Sequence, residues 1–329
     1  KKAYQVEGIS ESKLNECLNE LNNICSYSIS DKPNLSSYNF FKKGAELNKF
    51  KIEQLPKFQK KINNKVIKNS MKNTFIDKYL SIGGSIETGF AVTKLNYKNN
   101  VWHVEGLKGS KKVNLTCTYL FLCCGSIETS KILITNKIKT KKKPNSYYLH
   151  PMIKVIAKFN EEVQSGKENV HDFQITNFFP EFILGEAASG KQFLKMATIS
   201  SPAVQESIDK EWKKMSIYHA TFSMGHGKIH RIPLTREFIK TYSIKKSNIA
   251  KIQKAYLNLC KTLFDGGATE IYILNKKTLK VNRNDYQERI KNFKKIKQFK
   301  FSSVHILGGV TSGENNKCIV DCNGKKTSY

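Results

Sequence analysis

Arginine is almost missing from this chain. Of its 56 basic residues only Arg231, Arg236, Arg283 and Arg289 are arginine; the other 52 are lysine, and 27 acidic residues leave a net charge of +29. Such an excess invites a nucleic-acid or anionic-membrane partner, but sites that grip phosphate or base edges favour the bidentate guanidinium. Lysine scattered among many asparagines matches the compositional bias of an AT-rich genome instead. No nucleic-acid partner is expected on this basis, and a basic polyanion binder is kept as the alternative reading. The run at Lys139, Lys141, Lys142 and Lys143 is expected to be a solvated loop.

Other absences narrow the field. No apolar run is long enough to span a bilayer, so no membrane span is expected. The eight cysteines form no metal or disulfide framework: Cys318 and Cys322 lie four apart with no second pair to answer them, and Cys123 and Cys124 sit in an apolar run. Small thiols in a reduced, cytosolic protein are the expectation. His226 and His230 are four apart in HGKIH, but the local sequence reads as strand and turn and no third ligand accompanies them. No metal site is expected. Asp172, Glu181 and Glu186 show no spacing that demands acid-base work. The opening KKAYQVEG has neither an initiating Met nor a signal-peptide pattern, so we expect the chain to begin inside a longer protein whose targeting is unreadable here.

What is present reads as a folded α/β (α+β) protein. Its 329 residues are 39% apolar and 11% aromatic, enough for a sizeable core and two domains. The most informative stretch is TYLFLCCGSIETSKILI, residues 118 to 134. Leu120 to Cys124 predict a strand buried on both faces, Gly125 a turn, and Ser126 the cap of a following helix. That arrangement sets free N–H groups and a helix's positive end beside the carboxyl end of a strand, where α/β sheets hold phosphate-bearing cofactors.

The surrounding pattern gives this unit a context. An amphipathic helix is expected around Glu11 to Asn22, and a second with Met71, Phe75, Ile76 and Leu80 on one face, stopped by Gly83 and Gly84. Three β-rich runs follow, GSIETGFAVTKLNY, VWHVEGL and KKVNLTCTYL, with turns at Asn99-Asn100 and Gly109-Ser110. Beyond Pro144, residues 152 to 159, 170 to 179, 191 to 199 and 216 to 224 predict strands of a large antiparallel sheet with little helix between them. SNIAKIQKAYLNLCKTLFDGG predicts a helix capped by Ser247 and ended by Gly266, with Ile249, Ile252, Tyr256, Leu259 and Leu263 on its core face. The strand ATEIYIL and a Lys-rich helix from about Asp285 complete the reading.

These segments, in this order, resemble the glucose-methanol-choline (GMC) family of flavin oxidoreductases. Gly125, Ser126, Thr129, Ser130, Leu133 and Ile134 fill the family's second signature, although Lys137-Ile138 replaces its closing Ser-Gly. NSMKNTFIDKYLSIGGSIETGFAVTKL (69 to 95), LHPMIKVIAKF (149 to 159) and LFDGGATEIYI (263 to 273) also have family counterparts. SSVHILGGVTSGENNKCIVDCNGK (302 to 325) resembles the segment that carries the active-site histidine. The likeness covers most of residues 66 to 329.

The resemblance implies an FAD-binding Rossmann-like portion with a β-meander over 66–145, and a substrate domain with an antiparallel sheet over 146–300. Residues 301–329 would return the active-site segment to the FAD portion, and 1–65 would be an irregular or helical segment partly on the substrate side. It implies FAD as cofactor, with Val92, Cys124, Gly125, Ser126, Gly308 and Gly309 near it. The implied reaction is oxidation of a CH–OH group in a small alcohol or sugar-like molecule, with oxygen or another carrier as electron acceptor. His305, before Gly308 and Gly309, takes the place of the base; imidazole is the side chain suited to accepting a hydroxyl proton near neutrality. Val310, Thr311 and Ser312 replace the Cys, Arg and Met common after the glycine pair, which leaves the substrate class open. No G-x-G-x-x-G is present to receive a pyrophosphate, so a fragment, or a family-like fold without activity, belongs among the expectations.

Overall fold

The computed structural model describes residues 10–29, 36–62, 65–164, 173–235, 237–314 and 318–325. The opening KKAYQVEG and residues Val170 to Asp172 of one expected strand lie outside them.

The core is organised by an antiparallel sheet of seven strands. In spatial order they are Leu279–Val281, Glu270–Ile273, Met152–Lys158, Met215–Phe222, Phe182–Ala187, Phe173–Ile175 and Ile52–Gln54. Because strand side chains alternate between faces, each central strand serves two surfaces. Ile153, Val155, Ala157, Leu184, Tyr218, Ala220, Ile271 and Ile273 point to one face and join the main core. Ile156, Met215, Ile217, Tyr272 and Leu274 point to the other.

Two helices cover the first face, Ser36–Leu47 and Ile249–Gly266. The second buries Ile252, Tyr256, Leu259 and Leu263 as its sequence period predicts, each worth about 1.5–3 kcal/mol of apolar burial. The helices cross closely because both contribute glycine at the contact. A Cβ on Gly44 would fall 1.8 Å from the Thr262 carbonyl oxygen, and one on Gly266 2.1 Å from that of Phe40. The capping differs from expectation: Asn248 occupies the N-cap after a short 3-10 turn over Lys246–Asn248, and Gly267, at φ 123°, ends the helix.

The opposite face is only partly covered. Helices Lys191–Ala197 and Pro202–Glu211 pack Leu194, Val204 and Ile208 against it. Neither helix was expected from the pattern, which assigned residues 191 to 199 to a strand. The correction has a local reason, since Lys, Gln, Leu, Met and Ala are all good helix formers, and the segment has too few β-branched residues to resist them.

The expected meander is present as Phe90–Lys98, Val101–Lys108 and Lys111–Cys117. Asn99 and Asn100 adopt φ of 54° and 60°, the left-handed pair that a tight hairpin turn demands, and Tyr97 packs on Trp102 across the ladder with ring centres 5.0 Å apart. The expected first helix spans Glu11–Cys25, and Asp285 caps a helix over Tyr286–Lys291. Met71, Phe75, Ile76 and Leu80 accompany a helical segment running from Lys72 to Ser81, but all four are exposed rather than buried.

The largest correction concerns residues 118 to 124. The helix Gly125–Thr135 forms as predicted, yet the apolar run before it is extended chain outside any sheet. Tyr119 and Phe121 are about four-fifths exposed, at 79% and 83%, and Cys123 and Cys124 are exposed as well. Burial on both faces requires strands hydrogen-bonded along the edges, and among the described residues none pairs with this segment.

Candidate active site

A second, four-stranded sheet positions the candidate residues. Its order is Phe238–Ser243, His226–Arg231, Ser146–Leu149 and Ile306–Gly308. The strand Ser146–Leu149 runs through His150 and Pro151 directly into the central strand Met152–Lys158, so one stretch of chain serves both sheets. The segment Ser302 to Gly308 follows it antiparallel: Leu149 pairs with Ile306, and Met152 and Ser302 exchange backbone hydrogen bonds of 2.7 and 3.0 Å. His150 and His305 therefore face one another between these two fixed points. Their imidazoles meet edge to face with ring centres 5.5 Å apart. The Ser303 hydroxyl braces the junction, 3.1 Å from the His150 carbonyl oxygen and 3.0 Å from that of His305.

Both histidines line a cavity of about 680 Å³ on the sparsely covered face of the large sheet, within the range usual for small-molecule sites. Alternation along the strands supplies its floor: Met152 and Lys154 from one strand, Ile217, His219 and Thr221 from the next, Ile183 and Gly185 from the third. Gly185 lies opposite His219, and a Cβ there would come 3.0 Å from the imidazole. An adjoining pocket of about 630 Å³ shares His150, Gln174, Ile183 and Thr221.

The end of the helix Gly125–Thr135 is docked onto the same segment. Ser126, expected as a helix cap, instead lies inside the helix; Cys124 holds the N-cap position without a side-chain hydrogen bond. The Ser126 hydroxyl donates to the Ile306 carbonyl at 3.1 Å, and the Gly309 N–H donates to the Ser146 carbonyl at 2.9 Å. Gly309 has φ 82°, and a Cβ on it would fall 2.1 Å from the Ser126 carbonyl oxygen. Gly308 also has positive φ, 83°. Gly309 thus lets the His305 segment lie against the helix start, while Gly308 lies against the strand Ser146–Leu149.

Gly125, at φ 76°, has nothing within 4 Å of where a Cβ would be. The first-turn N–H groups beside it have no intrahelical acceptors, and the helix dipole favours negative charge there. Residues 124 to 126 therefore suit the phosphate of a dinucleotide such as FAD. The geometry brings Cys124, Gly125, Ser126, His305, Gly308 and Gly309 into one neighbourhood. Val92, on the meander at a register shift between Val92 and Lys94, is not among the cavity-lining residues.

Sequence reasoning missed His150, His219, Lys154 and Lys300. A signal for the first was available, since residues 150, 152 and 154 share one face of a strand by period 2. His226 and His230 both lie on the strand His226–Arg231, where four residues span about 13 Å, too far to share one metal ion. Glu186 points to the helix-covered face, opposite Tyr218, where its Oε1 accepts from the Ser216 hydroxyl at 2.9 Å.

No family model and no curated protein matches this chain. Among solved structures, the crystal structure of pyridoxine 4-oxidase from Mesorbium loti superposes on 87% of the chain with a TM-score of 0.60 at 12% identity. The two proteins share a fold. The match takes in 61% of the pyridoxine 4-oxidase chain, so this chain spans about three-fifths of that enzyme's length. The mixed fold of helices and antiparallel sheets is therefore one already seen in a solved structure.

Proposed function

We propose that this chain carries the substrate side and part of the cofactor side of an FAD-dependent oxidoreductase of the GMC kind, acting on the CH–OH group of a small alcohol. The observation that carries the reading is the junction itself: one segment holds His305 over the cavity and, four residues on, packs Gly309 against the start of the helix Gly125–Thr135. FAD, when bound, would supply a two-electron acceptor for the hydride of the carbinol C–H bond.

The chain's own residues divide the remaining work. His305 stands at the cavity mouth to accept the hydroxyl proton, and His150 braces its ring. Met152, Phe173, Phe193 and Phe301 provide apolar walls beside the reacting carbon, and Gly125 with Ser126 offers N–H groups to a dinucleotide phosphate. In this reading 66–145 is the cofactor-side portion and 146–300 the substrate side. The resemblance in sequence motifs and the shared fold with an oxidase support the assignment.

The test is spectroscopic. The full-length protein should purify yellow with FAD, and an alcohol substrate added without oxygen should bleach the flavin band. A colourless protein that takes up no FAD would overturn the proposal.

A further inference from the structure

We infer that the substrate of this site is an anionic alcohol, one bearing a carboxylate or phosphate group, with Lys154 and Lys300 as the residues that recognise the anion. The inference rests on the oxidoreductase reading for the word substrate; the anion-binding claim stands on the cavity alone.

Among the described residues, the cavity that holds His305 is lined by two lysines and three histidines, and by no aspartate or glutamate. Lys154 rises from the middle of the sheet, directly across the ladder from His219, and is half-buried. Lys300 enters from the His305 segment, five residues upstream, with its ammonium 3.3 Å from the Ala197 carbonyl oxygen. Burial holds the Lys154 ammonium below the ordinary lysine value, and the Lys300 charge adds to the effect. Two like charges thus converge on a partly desolvated cavity.

Two lysines close to this cavity are already neutralised. Lys158, four residues along the same strand, pairs with Glu211 at 2.5 Å, and Lys51, in the adjoining pocket, pairs with Glu53 at 2.7 Å. The acidic group of the adjoining pocket is therefore already engaged, whereas in the His305 cavity the lining supplies positive charge without a carboxylate. A partly buried cation costs free energy unless a partner offsets it. A ligand anion supplies that partner and gains charge-assisted hydrogen bonds in a site of reduced dielectric. Phe173, Phe193 and Met196 make the rest of the wall apolar, so the fitting molecule has a compact apolar body with an acidic group at one end and the alcohol at the other.

The test uses a matched pair of probes, 4-(hydroxymethyl)benzoate and its neutral analogue 4-(hydroxymethyl)benzamide, with binding measured by calorimetry at fixed ionic strength. The benzoate should bind at least about tenfold more tightly, as expected of a charge-assisted contact. The preference should vanish in the Lys154→Met/Lys300→Met double variant and persist in Lys228→Met/Lys240→Met, which removes the same charge from an exposed strand pair. Lys154→Arg should retain the preference. Equal binding of the two probes by the wild type, a preference that survives the cavity double variant, or its loss in the surface variant would each overturn the inference. The two proposals fail separately: a persistent benzoate preference in a protein that holds no FAD removes the enzyme reading and leaves the anion site standing, while flavin reduction by neutral alcohols alone does the reverse.

Discussion

The imidazoles of His150 and His305 meet edge to face, 5.5 Å between ring centres, where the last rung of one sheet gives way to the first strand of another. The relation follows from backbone register on either side of the pair, Leu149 with Ile306 and Met152 with Ser302. If His305 is the base, His305→Ala should slow alcohol-dependent flavin reduction by about 10²–10⁴-fold while leaving the thermal midpoint close to that of the wild type. Rapid-mixing absorbance at the flavin band measures the first and calorimetry the second. Undiminished reduction would remove the base assignment.

Gly309→Ala should destabilise the protein by about 2 kcal/mol, through strain at positive φ and the clash with the Ser126 carbonyl. Gly125→Ala, at a similar φ but with open space around it, should cost only about 1 kcal/mol. Urea midpoints for the two variants provide the comparison. Equal losses would mean that Gly309 does not pack on the helix as described.

Exposure of Tyr119, Phe121, Cys123 and Cys124 has a chemical consequence. Cys123 and Cys124 should react with a thiol reagent under native conditions, while Cys260, fully buried in the core helix with its thiol pushed up by desolvation, should stay unlabelled until the protein unfolds. Mass spectrometry of labelled peptides resolves the sites. Protection of Cys123 and Cys124 in the native protein would show that this segment is covered.

Asp265 ties the two core helices to the loop after them. Burial pushes its carboxyl up, but hydrogen bonds from Lys261 at 2.8 Å, Asn48 at 3.0 Å and Arg283 at 2.9 Å outweigh this and hold it below the ordinary aspartate value. A carboxyl depressed on folding stabilises the native state above its unfolded value and loses that contribution as pH falls through the folded one. Asp265→Asn should therefore lower stability at pH 7 by about 1–3 kcal/mol, and the gap from wild type should close below pH ~4.

Lys154 has the opposite sign. Its ammonium is depressed on folding, so at neutral pH it costs stability, and that cost is relieved as pH rises from the folded value toward the lysine value of ~10.4. Lys154→Met should unfold at a higher temperature than wild type at pH 7, with the difference shrinking toward pH 10. A lower melting temperature at pH 7 would show that the lysine is paired in the folded protein.

Local signals in the sequence settled whatever depends on neighbours along the chain. Asn99-Asn100 can supply paired positive φ, so the first meander hairpin was legible. The 3.6-residue stripe from Ile252 to Leu263 was long enough to specify a core helix, and the alternation in 152 to 158 and 216 to 222 specified sheet strands. Gly125, Ser126, Gly308 and Gly309 could be marked as a set, because their motifs survive in order. Tertiary structure decided the rest. The run Leu120 to Cys124 is as apolar as a buried strand, yet it lies outside any sheet with Phe121, Cys123 and Cys124 exposed, since strand pairing is a property of partners that are remote in sequence. The helix over residues 191 to 197 has local helix formers behind it, but its place on the sheet was set by Leu194 packing on a face built from remote strands. His150, Lys154, His219 and Lys300 form one cavity only because register places three strands and a returning segment side by side, a relation that no spacing within the chain encodes.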